Sequence, residues 1–316
     1  MKQKTWIRRM IVPIAMPLAV FLIFYIGQPE RFGTPEGILI MLQQSVINSI
    51  IGFGLCMNLV IDTWDFSAGA QMVLAGLIGA HFAQEYGFWG LIVMTILMAV
   101  LLGTLTGLIY SVFKIPSIIV TIGTMLIYES AGSLYQGGKS ITIPGEIGFL
   151  GKSPWIFLVG IVAYLLAYVI YHHTKFGYNV RAVGNGEATA KSIGIDPIKI
   201  RFLCFVVGGI FVGIAGVLQV SYGGAIAPKS GMNTMSMVFP PFMGVFIGQY
   251  LERYCDIYLG IFLGVFSMTM INSGLIAMGL PGTLQQVVTG YLMLIFMAIS
   301  INRETAILKK RKVETV

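Results

Sequence analysis

The sequence predicts an all-α polytopic membrane protein with about ten transmembrane helices and both termini in the cytoplasm. Of the 316 residues, 56% are hydrophobic and 10% are charged, and the mean hydropathy is +0.85. A membrane-spanning helix needs about 20 mostly apolar residues, so this chain can hold roughly eight to eleven of them. Little length remains for a water-soluble domain. We therefore expect one transmembrane domain over residues 1–316.

The first element is an apolar stretch over residues 10–27 that follows four basic residues. No small-residue cleavage pattern follows it, which favours a retained first span over a removed signal peptide. Nine further apolar segments complete the prediction. They cover residues 38–60, 66–84, 88–113, 115–135, 154–173, 198–220, 236–250, 257–277 and 283–301.

The positions of lysine and arginine support this topology, because these residues accumulate in cytoplasmic loops. With the N-terminus inside and ten crossings, sixteen of the 20 Lys and Arg residues fall on the cytoplasmic side. Those on the outer side are Arg31, Lys139, Lys152 and Lys229. Both termini are basic, which indicates an even number of spans. We expect a multi-pass protein of the plasma (inner) membrane, so the net charge of +7 does not call for nucleic acid as a partner.

Two connections between the predicted spans are long enough to carry function. The first covers residues 137–153, is rich in Gly and is predicted outside. The second, residues 174–197, is cytoplasmic and contains a Gly-Asn-Gly turn, a helix-compatible run over 187–193, and then Gly194 and Pro197. A short capped helix with small side chains can fit a partner's groove. For an arbitrary intracellular loop, a simple connecting turn would be the preferred interpretation.

A resemblance to a known family assigns a role to this second loop. Its motif Gly184-x-Gly186-Glu187-Ala188-x-Ala190-x-Ser192-x-Gly194-Ile195 resembles G-x-N-x-x-A-A-x-x-S-G-I, the cytoplasmic loop of permease subunits of ABC importers for ribose and related sugars. The chain departs from the pattern at Gly186, Thr189 and Ile193. The resemblance implies that the loop docks a separate ATP-binding subunit. The residues concerned are Gly184, Asn185, Gly186, Glu187, Ala188, Ala190, Lys191, Ser192, Gly194 and Ile195.

Further motifs follow in the order that the family shows. They are Asp65-Phe66-Ser67-x-Gly69, similar to D-L-S-x-G; Lys114-x-Pro116 then Thr121-x-Gly123-Thr124, similar to K-x-P then T-L-A-T; and Asn272-Ser273-Gly274-Leu275, similar to N-x-G-L. We assign structural roles to Asp65, Ser67, Gly69 and Pro116. The chain departs from the family at Glu129, where Arg is common, and at Phe-Pro-Pro-Phe over residues 239–242, where two glycines are usual. Both departures bear on substrate identity more than on transporter class.

The resemblance implies a transport complex with several partners. These are a second permease subunit, identical or paralogous, two cytoplasmic ATP-binding subunits, and an extracytoplasmic solute-binding protein. We expect a monosaccharide as cargo, although sister families carry branched-chain amino acids, polyols and nucleosides. No cofactor is implied.

The chain shows no enzyme motif of its own. Two Gly-Lys-Ser sequences, at residues 138–140 and 151–153, lack the first glycine of the phosphate-binding G-x-x-x-x-G-K-S/T loop, where Ser133 and Glu146 stand instead. The three histidines, His81, His172 and His173, suggest interface positions more than a metal site. The cysteines Cys56, Cys204 and Cys255 have no metal-ligand spacing and suit small hydrophobes.

Polar residues within the predicted spans are candidates for the substrate path. A charge inside the membrane marks function by default, and Glu129 is the one acid well inside a predicted span. The candidate path residues are Gln44, Asn48, Thr121, Thr124, Tyr128, Glu129, Phe242 and Asn272. Each could instead make a hydrogen bond between helices. A self-sufficient ion-coupled carrier is the alternative function, supported by Glu129, Asp62 and Asp65 and opposed by the scarcity of charge within the spans.

Overall fold

The structure is a computed structural model that describes residues 2–292, 294, 295 and 298, with side chains described from residue 12 onward. The described residues form two compact units: residues 46–238 make up one, and the described residues before and after that range make up the other. The prediction of an all-α chain is confirmed. The end of the predicted span 283–301 and the basic C-terminus lie outside the described residues.

The helices follow the apolar segments closely. They are α1 (Lys2–Gly27), α2 (Pro29–Phe32), α3 (Pro35–Val60), α4 (Ala68–Phe113), α5 (Ser117–Leu134), α6 (Trp155–His173), α7 (Lys175–Asn185), α8 (Glu187–Ser192), α9 (Pro197–Gly223), α10 (Phe239–Leu251) and α11 (Ile257–Ala277). A further helix, α12, covers residues 282–292. Two-residue strands β1 (Ile141–Thr142) and β2 (Ala225–Ile226) pair antiparallel.

Helix α4 is a hairpin of two helical arms. Its backbone breaks at Gly87, where φ is 61° and ψ is −145°. A Cβ added at Gly79 would lie 1.8 Å from Thr95 Oγ1, although sixteen residues of straight helix would separate these positions by about 24 Å. The chain therefore reverses at Gly87. The arms, residues 68–86 and 88–113, correspond to two separately predicted spans.

Helix α9 packs against both arms of this hairpin. A Cβ on Gly216 would lie 3.5 Å from the Met72 carbonyl oxygen, and one on Gly213 would lie 2.8 Å from Ile96 Cα. The sequence repeats glycine at four-residue spacing in α9, so its backbone approaches its neighbours without intervening side chains. The hairpin and α9 form the centre of the unit over residues 46–238.

In the other unit, α10 and α11 pack closely through glycines. Cβ atoms added at Gly244 and Gly248 would meet Val265 and Ile261 within 2.6 Å or less. Pro240 lies in the first turn of α10, preceded by a 3₁₀ turn over Met235–Val238. Proline is tolerated there because first-turn amides have no intrahelical acceptor.

Six of the described helices are long and apolar enough to cross a membrane: α3, α4, α5 with its 3₁₀ extension, α6, α9 and α11. Shorter apolar helical stretches cover Val12–Gly27 and Met235–Leu251. The chain is thus a multi-pass membrane protein.

Candidate functional site

The start of α4 lies inside the helix bundle. The two arms of the hairpin are unequal, because Gln71 on the first arm faces Gly103 on the second. Beyond Gly103 the second arm continues for ten residues, about 15 Å, whereas the first arm begins only about 5 Å before Gln71. The connection over residues 61–67 therefore ends within the depth of the bundle, and five of its seven residues are buried.

Asp65 caps this internal helix start. Its Oδ1 accepts a hydrogen bond from the Ser67 backbone N–H at 3.0 Å and another from the Ser67 hydroxyl. Gln71 Nε2 in turn donates to Ser67 Oγ at 2.7 Å. A carboxylate beside the first turn also offsets the positive end of the helix dipole. This geometry supports the structural role that we assign to Asp65 and Ser67.

Gly69 provides the space for a non-helical segment that follows α9. A Cβ on Gly69 would lie 2.3 Å from the Thr234 carbonyl oxygen, so no larger residue fits without displacing that backbone. The motif Asp65-x-Ser67-x-Gly69 therefore combines a helix cap with a close backbone contact. Gly69 is needed because the Thr234 backbone packs against it, which the sequence motif alone does not reveal.

Glu129 on α5 anchors the same segment. Its Oε1 accepts hydrogen bonds from the Thr234 N–H at 2.8 Å and the Thr234 hydroxyl at 2.6 Å, and its Oε2 accepts one from the Met232 N–H at 2.8 Å. The side chain is 4% exposed, and no cation pairs with it among the described residues. Three donors on one carboxylate compensate for the loss of water.

The other candidates on α5 are buried and hydrogen-bonded within this unit. Tyr128 OH donates to the Leu102 carbonyl oxygen at 2.8 Å and lies 2.9 Å from Thr106 Oγ1. Thr121 Oγ1 donates to the Trp64 carbonyl oxygen at 3.2 Å. Thr124, also buried, donates to the Thr121 carbonyl oxygen at 3.2 Å. The bond of Tyr128 joins two helices, which is the alternative role that the sequence left open. Thr121 bonds instead to the connection before α4, and Thr124 bonds within α5.

The remaining candidates divide between the two units. Asn48 on α3 is half-buried and belongs to the unit of residues 46–238. In the other unit, Gln44 is exposed and lines a cavity of about 220 Å³ that also contacts Arg31. Asn272 Oδ1 accepts a hydrogen bond from Thr289 Oγ1 at 3.2 Å. Phe242 is completely buried.

The connection over residues 174–197, predicted to be cytoplasmic, contains the expected short helix, which ends one residue earlier than predicted, at Ser192. Glu187 Oε1 lies 2.8 Å from Lys191 Nζ, and its Oε2 accepts a hydrogen bond from Arg201 of α9 at 3.0 Å. The hydrogen bond from Lys191 and the charge of Arg201 hold the pKa of Glu187 below its usual range. The loop closes with Gly194 at φ +83°, in the left-handed region that favours glycine.

The surface of α8 differs in one residue from the small-residue surface expected. Ala188, Thr189 and Ser192 are exposed, but Ala190 is 1% exposed and faces its own chain. A Cβ on Gly184 would lie 2.3 Å from the Val60 carbonyl oxygen at the end of α3. The loop therefore contacts α3 through Gly184 and buries Ala190, and the rest of its motif is exposed or half-buried.

Sequence reasoning missed α7, the helix that leads into this loop. Thr174 caps it by accepting a hydrogen bond from the Gly177 N–H at 3.1 Å. Gly177, Val180 and Val183 form its buried side, at a spacing of three residues. That spacing is an amphipathic helix signal that could have found it. The segment after α9, which Glu129 and Gly69 hold, carries no comparable local signal.

The histidines and cysteines form no cluster in the described part of the chain. No group of three or more His, Cys, Asp or Glu residues that could hold a metal ion is found among the residues searched. His81 Nδ1 lies 3.4 Å from Gln136 Nε2, and His172 Nδ1 lies 3.4 Å from Arg181. Burial raises the pKa of the Cys255 thiol, in the connection before α11, which makes it less reactive.

Comparison with known proteins matches residues 37–297 to the family model described as branched-chain amino acid transport system / permease component. The chain is 23% identical to the ribose import permease protein of Escherichia coli (strain K12) over 72% of this chain and 74% of the relative. It is 28% identical to the galactose/methyl galactoside import permease protein of Haemophilus influenzae over 64% and 68%. It is 30% identical to the autoinducer 2 import system permease protein of Escherichia coli O157:H7 over 68% and 65%.

Proposed function

This chain belongs to the family of branched-chain amino acid transport system permease components, and from that membership we propose that it is the transmembrane permease subunit of an ABC importer for a monosaccharide. A separate subunit hydrolyses the ATP, and an extracytoplasmic binding protein delivers the solute. The permease pairs with a second copy or a paralogue. The observation that carries the proposal is the rigid, partly exposed helix α8 in the loop that resembles the family's docking motif.

The chain crosses the membrane ten times, with both termini cytoplasmic. The two arms of α4 count as two crossings, and α1, α3, α5, α6, α9, α10, α11 and α12 provide one each. The even count agrees with basic residues near both termini. The whole chain then acts as one permease domain, with residues 174–197 as its cytoplasmic coupling loop.

Helix α8 transmits motion from the ATP-binding subunits to the membrane helices. The Glu187–Arg201 pair joins α8 to α9, and Gly184 packs on the end of α3 at Val60. Both contacts lie at the cytoplasmic end of helices that run through the unit of residues 46–238. A displacement of α8 by a docked subunit would therefore pull directly on α9, and on α3 through the adjoining end of α7, which contains Gly184.

A monosaccharide is the cargo favoured by the relatives, whose names include ribose, galactose and fructose import. Neutral hydroxyl, amide and aromatic groups suit a sugar. Of the candidate path residues, Gln44 is exposed and Asn48 half-buried, whereas Thr121, Thr124, Tyr128, Glu129 and Phe242 are buried within their own units. Proteoliposomes that contain the complete importer would be tested with D-ribose, D-galactose and D-fructose, and with leucine, a polyol and a nucleoside as rivals. Saturable ATP-driven uptake of a sugar supports the assignment. Uptake of leucine, the polyol or the nucleoside and of no sugar would change the assigned cargo but not the assignment as a permease.

The first experiment is purification of the tagged chain from its native membrane in mild detergent, with mass spectrometry of the proteins that accompany it. Recovery of a P-loop ATPase is the expected result. Recovery of the folded chain alone, together with cation-dependent uptake, would instead establish the ion-coupled carrier. Glu129 and Asp65 favour that rival only weakly, because hydrogen-bond donors of the same chain already bind both carboxylates.

A further inference from the structure

A polar, non-helical segment follows α9 and runs back along the first arm of α4. Near its start, the Ile226 side chain reaches Gly76, where an added Cβ would lie 2.7 Å away. Near its end, the Thr234 carbonyl oxygen reaches Gly69. Gly76 and Gly69 are seven helical residues apart, about 10 Å. The chain therefore returns by roughly this distance into the bundle before the 3₁₀ turn at Met235–Val238 begins.

The depth of the segment follows from its contact with α5. Met232 and Thr234 donate hydrogen bonds to Glu129, which lies twelve residues, about 18 Å, after the start of α5 at Ser117 and five residues, about 8 Å, before its end at Leu134. Helix α5 with its extension to Gly138 is long and apolar enough to cross a membrane. With a hydrocarbon core of about 30 Å, Thr234 therefore lies within the span of α5 and not at either of its ends.

The tip of the segment, residues 229–233, is exposed at every position. Lys229, Ser230 and Asn233 are polar, and neither an ion pair for Lys229 nor a hydrogen bond for the Ser230 hydroxyl is found among the described residues. Lipid cannot satisfy exposed peptide groups, so irregular backbone at this depth occurs only where protein buries it or where it lines a water-filled cavity. Because the tip is polar and exposed, we infer that it lines a water-filled cavity.

We propose that residues 229–233, named here the path turn, line the aqueous solute pathway, and that Glu129 is the positioning residue that holds this turn in place. The inference rests on the proposed function and identifies a wall of that pathway. The Ser230 hydroxyl and the Asn233 amide offer donors and acceptors that suit the hydroxyl groups of a sugar. Unwound backbone at mid-membrane serves solute binding in other transporter folds.

The path turn depends on Glu129 for its conformation. Gly231 and Met232 have φ values of +70° and +65°, in the left-handed region that a residue such as Met rarely adopts. The Met232 N–H and the Thr234 N–H both donate to Glu129, which fixes the backbone on each side of Asn233. An amide at position 129 would present an NH₂ group to one of these N–H donors and lose that bond.

The test is labelling of single cysteines by a charged, membrane-impermeant methanethiosulfonate reagent in membranes that contain the whole complex. Ser230→Cys and Asn233→Cys report on the path turn. Ile127→Cys is the matched control, since Ile127 is 58% exposed on α5, two residues from Glu129, and faces lipid in our topology. Only an ionised, water-exposed thiol reacts, so the two turn positions should label at least about tenfold faster than the control. Labelling no faster than at Ile127→Cys overturns the inference.

The positioning role of Glu129 is tested in the same assay. Glu129→Gln should change the labelling rate of Ser230→Cys severalfold and raise the half-saturating solute concentration, with ATP hydrolysis in the complex retained. Glu146→Gln, the same change in an exposed outer loop, should alter neither. Should Glu129→Gln fail to fold, Gly69→Ala displaces the turn through the Thr234 contact, and Gly123→Ala, with open space around it, is its control. Unchanged labelling in the folded variant overturns the role.

The labelling requires no knowledge of the cargo, so it separates this inference from the proposed function. Fast labelling of the path turn without a co-purified ATPase would support the aqueous wall and overturn the importer. A co-purified ATPase together with a path turn that never labels would support the importer and overturn the aqueous wall. A turn that labels only after the complex is dissociated into single permease chains is covered by a partner subunit, and this outcome also overturns the inference.

Discussion

Single glycines set how closely the central helices approach one another. At Gly209 an added Cβ would lie 2.8 Å from the Ala99 carbonyl oxygen and 3.0 Å from Val100 Cα. Backbone atoms cannot swing aside as a flexible side chain can. At Gly123 the same atom would meet nothing within 4 Å. The two positions therefore separate the effect of crowding from the general effect of replacing a membrane glycine.

Gly209→Ala should lower the free energy of unfolding by about 1–3 kcal/mol, the usual cost of forcing an extra methyl group into a packed contact. Thermal unfolding of the purified protein in detergent measures the change. Gly123→Ala should leave the midpoint unchanged or slightly raised. Equal midpoints for both variants would mean that α9 and the second arm of α4 do not pack as closely as described.

Asp65 and Glu129 differ in how well their hydrogen-bond partners can be predicted from the sequence. The sequence marked both as significant, one through a motif and the other as an acid inside a span. Their partners could not be predicted equally well. Ser67 lies two residues from Asp65 and forms a local cap, whereas the donors to Glu129 are 103 and 105 positions away. Only the folded chain brings those donors together.

At the scale of elements, α8 combines exposure with rigid attachment. Its acid pairs both within the helix and with α9, and a left-handed glycine ends the loop. The low pKa of Glu187 means that its carboxylate stays ionised at neutral pH. Any stability that its pairs contribute is present above the pKa of the unfolded chain and is lost as the pH falls through the lower, folded value.

Glu187→Arg should abolish ATPase association and ATP-driven uptake while membrane insertion is retained, because it places like charges beside Lys191 and Arg201. Co-purification and uptake are the measurements. Gly194→Arg should act similarly, since a non-glycine residue is strained at φ +83°. Glu146→Arg in the outer loop is the charge-matched control. Normal ATP-driven uptake by both loop variants would contradict the docking role.

The α4 hairpin depends on the conformation of one residue. Gly87 adopts φ 61° and ψ −145°, a combination that is essentially restricted to glycine, although no atom crowds its missing Cβ. Gly87→Val should therefore destabilise the fold by about 1–3 kcal/mol through backbone strain alone. Thermal unfolding in detergent tests this, with Gly123→Val as the control. An unchanged midpoint would show that the turn relaxes without cost.

At the scale of the whole molecule, the number of crossings decides which loops face which compartment. The ten crossings that we propose place residues 137–153 outside and residues 174–197 inside. The hairpin is critical to this count. If α4 crossed only once, every later loop would change sides, and the motif loop would face away from cellular ATP.

Cysteine labelling in intact cells tests the topology. Glu146→Cys should react with an impermeant maleimide added outside, whereas Lys175→Cys should react only after the cells are permeabilised. Both positions are exposed, so burial does not explain a difference between them. The reverse pattern would invert the topology, and labelling of both from outside would exclude ten crossings.

The sequence by itself determined the all-helical class, the positions of the apolar helices and the short helix α8 in the connection over residues 174–197. These features depend on local causes: an apolar run in lipid must satisfy its peptide groups as a helix, and a glycine such as Gly194 ends a helix within a residue or two. The tertiary structure alone decided that α4 folds back on itself, that α9 packs against both arms, and that Glu129 and Gly69 contact the segment that follows α9. Those arrangements join groups far apart in the chain, and close packing and hydrogen bonds select them only after the helices have come together.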